Sequence, residues 1–468
     1  MDPRGGDKGG GGEFRRSSTR ISRAPLIKHI SNSRKFSIRP SSSSSASAEQ
    51  IQTSETPEIP PALVSSSSPP LSATLIGCNE DILLQILPYL PPKSLLRFQS
   101  VSKQWLSIIS NPTFRRLHLW VNPTTATSAF ILFRKIKNMA PELNFISSHE
   151  DYVNPMGNIV SNLNNLFDNA DIVGLHSCNG LLCIKFCFNY DSIKFVVYNP
   201  TTNEYRLIPR LKKIVEERLL QTSVVNIAFD PLNPAQYKLV CVITDHFESE
   251  YRFIVYSSET GFWRESVKRL DIYTEKYYFD RGVLWNGGLH WATQWGSTIC
   301  FDIDHECVRS TVPNLPALYD DSSEVCYFGD SGGELYLISV SMPRKTVFNV
   351  FSLKMDYSKW DVKHRIDLTL LSIFYPLDVD EELDPNEFGF HILHCVVDKN
   401  RGNVMLVLSM HRKIFCYDIN DLTVKELANI EPKEVSYRWM ETSRYLRRDA
   451  SKYMWREAYQ HVETLAYI

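Results

Sequence analysis

No stretch of the sequence approaches the roughly 18 consecutive apolar residues that a membrane-spanning helix needs. The chain also lacks a surplus of positive charge, because 51 lysines and arginines stand against 53 aspartates and glutamates and leave a net charge of −2. Proteins that bind nucleic acid usually carry a clear basic excess. The composition therefore predicts neither a membrane partner nor a nucleic-acid partner.

The usual signatures of catalysis and metal binding are missing as well. The ten cysteines form no CxxC pair, and the sequence contains no GxSxG, Walker, GxGxxG or HExxH motif. His176, Cys178, Cys183 and Cys187 lie close together, but they lack the paired spacing that a tetrahedral zinc site requires. We therefore expect reduced thiols in an intracellular protein, with no catalytic residue, no metal and no cofactor.

The first 73 residues have the composition of a disordered tail. Gly5–Gly12 is glycine-rich, and Ser41–Ser45 and Ser65–Ser68 are serine runs. Such segments bury too little apolar surface to offset chain entropy. A solvated tail is the favoured interpretation. The alternatives are an organelle-targeting signal, since basic residues dominate its first 40 positions, and a contact with nucleic acid or membrane.

Residues 75–120 predict a small helical module. Apolar residues recur at helical spacing between strong start and stop signals. The signals predict three helices, with an N-cap at Asn79, a break at Pro88, an opening at Pro91-Pro92, a further N-cap at Ser102 and an end at Asn111-Pro112.

The remainder of the chain predicts short strands separated by turns, such as Gly180–Phe188 and Val224–Phe229. An apolar run ending in an aromatic residue recurs at steps of 58, 45, 50 and 66 residues, at Tyr198, Tyr256, Phe301, Phe351 and Tyr417. Kelch-type propeller blades repeat at about 50 residues. The pattern favours a propeller-like domain of about six blades, with a sixth blade from residues 143–182 completed by a C-terminal strand. A two-sheet sandwich is the main alternative.

The helical module resembles an F-box. The resemblance rests on four segments whose order and spacing match that family: Ile86-Leu87 to Leu90-Pro91, Ser94–Phe98, Val101–Trp105, and Asn111-Pro112 to Phe114. The sequence departs from the family at its opening, where Cys78-Asn79 replaces the usual Leu-Pro. A module of about 40 residues buries too little surface to be stable alone, so a partner should cover its surplus apolar side chains.

That resemblance implies binding to a Skp-type adaptor and, through it, to a cullin scaffold. Phe98 and Trp105 are also candidates for the core of the module itself. The residues that the resemblance assigns to adaptor binding are Ile82, Leu83, Ile86, Leu87, Leu90, Leu95, Val101, Lys103 and Trp105.

The β region resembles the F-box-associated, kelch-like domain of plant F-box proteins. Gly174–Ile184, Val197–Pro209 and Val462–Leu465 carry the resemblance. Their motifs are structural, since Asn199-Pro200 makes a turn and Asn179-Gly180 provides the positive φ of a tight turn. The organisation that we predict is a disordered tail at 1–73, an F-box module at 75–120 and an F-box-associated domain at 140–468.

The functional hypothesis is a non-enzymatic substrate-recognition subunit of a Skp–cullin–F-box ubiquitin ligase, acting in the nucleus or the cytoplasm. Its β domain would bind an unidentified target protein. The alternatives are a β-propeller scaffold or ligand-binding protein without a ligase role, and an enzymatic propeller. The arginine- and aromatic-rich segment Tyr437–Arg456 predicts either a surface helix packed on the propeller or a contact with a partner.

Overall fold

The structure is a computed structural model, and it describes residues 77, 79–122, 127–134, 142–147, 170–188, 192–211, 215–233, 236–245, 249–271, 277–309, 312–316, 323–341, 346–374, 391–398, 403–410, 413–429 and 457–468. The tail at 1–73, Cys78 and the segment Tyr437–Arg456 lie outside the described residues. The predictions made for them stay predictions.

Residues 79–122, called the helical module below, form four α-helices and one 3-10 turn. The predicted caps at the first and third helices are confirmed, since Asn79 Oδ1 accepts a hydrogen bond from the Ile82 amide and Ser102 Oγ accepts one from the Trp105 amide. The helices are α1 (Glu80–Ile86), the 3-10 turn (Leu87–Tyr89), α2 (Pro92–Phe98), α3 (Lys103–Ser110) and α4 (Pro112–Val121).

The fourth helix goes beyond the three that the sequence predicted. Asn111-Pro112 ends α3, as expected, but the same two residues also begin α4. Asn111 Oδ1 accepts a hydrogen bond of 2.8 Å from the Thr113 amide, and Pro112 occupies the first helical position. Both arrangements are helix-starting signals, so the dipeptide separates two helices instead of closing the module.

The β region consists of small antiparallel sheets, each built mainly from consecutive strands. Blade 1 contains β3 (Ala170–Cys178), β4 (Leu181–Phe188), β5 (Ser192–Asn199) and β6 (Glu204–Leu207). Blade 2 contains β7 (Val224–Phe229), β8 (Tyr237–Asp245), β9 (Glu250–Ser257), β10 (Phe262–Glu265) and β11 (Leu270–Asp271). Blade 3 contains β12 (Val283–Trp285), β13 (Gly288–Ala292), β14 (Thr298–Asp302) and β15 (Cys307–Arg309).

The other three sheets follow the same plan, with one exception in chain order. Blade 4 contains β16 (Ser323–Ser331), β17 (Glu334–Ser341), β18 (Val347–Leu353) and β19 (Trp360–Asp367). Blade 5 contains β20 (His391–Asp398), β21 (Asn403–Met410), β22 (Lys413–Asp418) and β23 (Thr423–Asn429). Blade 6 joins both ends of the β region: β1 (Ala129–Arg134), β2 (Glu142–Ser147) and β24 (Glu457–His461).

The six sheets form a closed ring. A hydrophobic cluster lies between each pair of neighbouring blades, and the sixth such cluster packs Ile131 and Phe133 of blade 6 against Ile172 and Leu182 of blade 1. This is the arrangement of a β-propeller, in which each sheet is buried on both faces by its neighbours. The predicted fold, a helical module followed by a propeller of about six blades, is confirmed.

The predicted C-terminal strand of blade 6 is confirmed, but the blade differs from the prediction in part of its other residues. Residues 170–182 were expected to contribute to it, but they form β3 and the start of β4 in blade 1. Blade 6 instead pairs β1, which begins at Ala129, with β2 on one side and with the C-terminal strand β24 on the other. The two ends of the β region are thus hydrogen-bonded in one sheet, which closes the ring.

Two short helices, α5 (Glu217–Gln221) and α6 (Thr369–Phe374), lie in connections between blades. In the part of the chain that the structure describes, no helix has the length and hydropathy needed to cross a membrane.

Candidate functional site

The helical module has a small hydrophobic core of its own, to which each of its four helices contributes and which a C-terminal residue completes. Its members are Leu83, Leu87, Leu95, Ile108, Ile109, Phe114 and Leu465. Leu83, Leu87 and Leu95 were assigned to adaptor binding by the resemblance. In this structure they are buried and stabilise the module itself, so they offer no surface to a partner.

The other six predicted adaptor residues lie at or near the surface of the module. Ile86 is 49% exposed and Val101 is 58% exposed, and Lys103 is exposed as well. The half-buried members are Ile82, Leu90 and Trp105. The structure therefore divides the predicted set into residues that form the module and residues that are available to a partner.

Sequence reasoning missed three exposed apolar side chains of the module. Tyr89 is 68% exposed in the turn after Pro88, Leu106 is 46% exposed on α3, and Trp120 is 69% exposed at the end of α4. Leu106 lies off the helix face that Trp105, Ile108 and Ile109 share. Its exposure could have been predicted from that position on the helix. The exposed apolar set of the module is Ile86, Tyr89, Val101, Leu106 and Trp120.

Trp105 contributes to the packing of the module, one of the two roles that the sequence allowed. Its indole Nε1 donates a hydrogen bond of 3.0 Å to the Gly77 carbonyl oxygen. Its ring meets Phe98 edge to face, with ring centroids 5.5 Å apart. This contact ties α3 to the end of α2 and leaves part of the indole accessible.

A bidentate ion pair joins the helical module to blade 1. Arg115 on α4 donates from Nη1 and Nη2 to the two carboxylate oxygens of Glu204 at 2.7 and 2.9 Å. Glu204 is the first residue of β6, the outer strand of blade 1. The guanidinium of Arg115 also lies over the Tyr467 ring, 5.9 Å from its centroid.

The C-terminal residues after β24 make a second connection between module and propeller. Leu465 is fully buried in the module core, and Glu463 pairs with Lys93 of α2 at 3.0 Å. On the propeller side, Asn199 Nδ2 donates to the carbonyl oxygens of Thr464 and Ala466 at 3.1 and 2.9 Å. We call residues 462–468 the C-terminal tail. It holds the module in a fixed position against blade 1.

A cavity of about 150 Å³ lies on the propeller axis, lined by residues from five of the six blades. One lining residue, His176, has a fixed tautomer: its Nδ1 accepts from the Ile227 amide at 3.1 Å, so Nε2 carries the proton and donates to the Gly282 carbonyl oxygen at 2.8 Å. Burial lowers the pKa of His176 to about 4, and the bond to Gly282 opposes this shift. His176 is therefore neutral at physiological pH.

Within the described residues, no group of three or more histidine, cysteine, aspartate or glutamate side chains is placed to hold a metal ion. Burial raises the pKa of Cys178 to about 12, which leaves its thiol protonated and a poor ligand.

Comparison with known families assigns this architecture. A model described as "F-box protein At3g26010-like, beta-propeller" matches residues 145–386, just over half of the 468-residue chain. This chain belongs to that family. A second model, described as F-box-like, matches residues 80–120 and therefore covers most of the helical module.

Curated plant F-box proteins are similar to this chain over much of its length. F-box protein At5g07610 of Arabidopsis thaliana is 28% identical over 405 residues, covering 80% of this chain and 93% of the relative. F-box protein At5g49610 of the same plant is 26% identical over 321 residues, covering 64% of this chain and 81% of the relative. Among solved structures, the nidogen/laminin complex matches at 10% identity with a TM-score of 0.35, covering 72% of this chain and 99% of that chain, a similarity too weak to support a functional argument.

Proposed function

We propose that this protein is the substrate-recognition subunit of a Skp–cullin–F-box-type ubiquitin ligase and that it acts in the nucleus or the cytoplasm. The helical module binds a Skp-type adaptor, which links it to the cullin, and the propeller binds the target protein. The kelch-like character of its blades, expected from the repeat spacing, is part of the same proposal. In this proposal the chain supplies no catalytic group. It holds the target near a ubiquitin carrier and thereby raises the effective concentration of the reacting groups.

The observation that carries the proposal is the exposed apolar set on an F-box-like module. Five large apolar side chains are exposed within residues 86–120 while the core of the module is complete without them. Exposed apolar side chains on a short helical module are suited to burial against a protein partner. Burying each against a partner would contribute roughly 1.5–3 kcal/mol at most.

The test is binding of a purified Skp-type adaptor to the full chain. The variant combines Ile86→Lys at the end of α1 with Val101→Asp just before α3, so that each new charge suits the dipole of its helix end. The matched control places the same charges on exposed apolar residues of the propeller, Leu232→Asp with Val267→Lys. All proteins are checked for folding by circular dichroism.

We expect wild type and control to bind the adaptor, and the module variant to bind more than about 100-fold more weakly, since each substituted contact contributes at least about 1.4 kcal/mol. No binding by the wild type would favour the scaffold alternative. Equal binding by the module variant and the control would place the adaptor on another surface.

A further inference from the structure

The C-terminal tail contributes to two hydrophobic cores at once. Leu465 is fully buried in the core of the helical module. The next residue, Ala466, and the nearby Ile468 are buried in the cluster between blades 1 and 2. Because neighbouring tail residues belong to different cores, the position of Leu465 in the module depends on the attachment of the tail to the propeller.

Blade 1 holds the tail by its backbone as well as by apolar contacts. Besides the two hydrogen bonds that Asn199 donates to tail carbonyl oxygens, Thr201 Oγ1 accepts one of 3.1 Å from the Thr464 amide. The tail also passes close to the turn at Gly180, where an added Cβ would collide with the Val462 carbonyl oxygen. These contacts fix the path of the tail before it reaches the module.

Helix α4 belongs to the same two cores. Its Phe114 is buried in the module core, and its Leu119 is buried in the cluster between blades 1 and 2. The module therefore contacts the propeller through two adjacent segments, α4 and the tail. Each segment is shared between the two domains.

The C-terminal half of α4 also holds one turn of the exposed apolar set. His118 Nε2 donates a hydrogen bond of 2.8 Å to the Leu90 carbonyl oxygen, and Asn122 Nδ2 donates one to the Pro88 carbonyl oxygen. Pro88 and Leu90 flank Tyr89, which is a member of that set. A partner-facing turn is thus fixed by a helix that rests on the propeller.

The module core is small enough for the loss of one member to matter. It contains six buried side chains besides Leu465. A module of about 40 residues is only marginally stable, and an emptied leucine site adds a cavity. Ile86 ends α1 and Val101 precedes α3, so both keep a fixed position only while these helices are packed. A partner of this surface binds more weakly in proportion to the fraction of modules that are unpacked.

We propose that the C-terminal tail controls adaptor binding, because the module presents its adaptor surface only while blade 1 holds Leu465 in the module core. This regulation presupposes the adaptor binding proposed above. The module precedes the propeller in the sequence, whereas the tail follows β24, the strand that closes the ring. A chain whose propeller is unfinished or whose tail is displaced therefore does not recruit the adaptor. The ligase is thereby kept free of subunits that hold no target.

The first experiment measures the affinity of the full chain for a purified Skp-type adaptor by isothermal calorimetry. The temperature is one at which circular dichroism shows every protein to be folded. Leu465→Ala empties the site of the tail in the module core. Its matched control, Leu406→Ala, removes an equally buried leucine from the cluster between blades 4 and 5, which contains no module or tail residue. We expect wild type and control to bind alike and Leu465→Ala to bind at least about fivefold more weakly.

A second pair of variants tests the same dependence from the propeller. Asn199→Asp displaces the tail without changing any residue of the module or the tail, and Asn203→Asp in the same turn is its control. We expect Asn199→Asp to bind the adaptor at least about fivefold more weakly than Asn203→Asp. A loss of affinity in Leu465→Ala alone would make Leu465 a packing residue of the module and would overturn control by the propeller.

The coupling is reciprocal, so a bound adaptor must stabilise the docked tail by the same factor. The amides of Thr464 and Ala466 donate to Thr201 Oγ1 and Thr464 Oγ1, each at 3.1 Å. We expect saturating adaptor to slow hydrogen exchange at both amides at least about fivefold, and unchanged exchange would contradict the coupling. Adaptor binding by the wild type that neither variant weakens refutes the role of the tail and leaves the ligase assignment intact. No binding by the wild type refutes the ligase assignment, and the regulation with it.

Discussion

Arg115 and Glu204 lie 89 positions apart and join the helical module to blade 1 through two parallel hydrogen bonds. The two side chains are unequally buried, with 7% of the arginine side chain and 38% of the glutamate side chain exposed. A bidentate geometry of this kind fixes orientation as well as distance. The module is therefore held at a set angle to the propeller.

The unequal burial predicts an unequal response to substitution. Glu204→Ala leaves a buried guanidinium without its carboxylate, and we expect a loss of about 1–3 kcal/mol in the free energy of unfolding. Arg115→Met keeps the packing volume and leaves a carboxylate that water can reach, so its loss should be smaller. Urea denaturation of both single variants and of the double variant gives the coupling energy. A coupling near zero would show that the pair contributes nothing to docking.

Leu465 should be the strongest single link between the C-terminal tail and the module. Leu465→Ala removes a fully buried side chain from the module core, and we expect a loss of about 2–5 kcal/mol with faster hydrogen exchange throughout residues 80–121. The control is Leu232→Ala, the same substitution at an exposed position, for which we expect less than about 0.5 kcal/mol. Unchanged exchange in the module of the Leu465 variant would contradict the docking role of the tail.

The sequence predicted the propeller because its repeat falls on one structural position. Tyr198, Tyr256, Phe301, Phe351 and Tyr417 each lie on the third strand of a blade, and all five are buried. Strands in the middle of a sheet are covered on both faces by the neighbouring blades. Their residues are therefore apolar in each of these blades. The spacing of the repeat varies because the connections between blades differ in length. The repeat alone therefore did not exclude a two-sheet sandwich.

The C-terminal strand predicted to complete blade 6 is confirmed as β24, but the residues that form it were not predictable by the same reasoning. β24 reads Glu-Ala-Tyr-Gln-His and lines the axial cavity, and only Ala458 and Tyr459 pack against hydrophobic clusters between the blades. Without an apolar pattern it carries no strand signal. The side-chain contacts of Asn199 were equally hidden, because its turn motif predicts only local geometry whereas its amide binds residues 265 and 267 positions away.

Asn199 provides a sharp test of the attachment of the tail. Its Nδ2 donates to two tail carbonyl oxygens while its Oδ1 accepts from the Thr201 amide. Asn199→Asp would set a buried carboxylate oxygen against those carbonyls, and we expect a loss of roughly 3 kcal/mol or more. Asn203→Asp is the control, since Asn203 is exposed and its Oδ1 accepts from the Tyr198 hydroxyl, a role that aspartate keeps. Equal melting temperatures for the two variants would refute the assigned role.

The buried histidines predict a loss of stability in acid. Burial lowers the pKa of His176 from 6.5 to about 4, so the unfolded chain binds a proton more tightly than the folded one between these values. The free energy of unfolding is therefore unaffected by this histidine above pH 6.5 and decreases as the pH falls toward 4. The loss amounts to about 2 kcal/mol by pH 5. His176→Gln removes this term, so its free energy of unfolding should fall by about 2 kcal/mol less than that of wild type between pH 8 and pH 5. Asp330, whose pKa burial raises to about 6, acts in the opposite sense over the same range, and comparing the two proteins cancels its effect. Parallel urea-unfolding profiles for the two proteins would show that His176 is not held neutral.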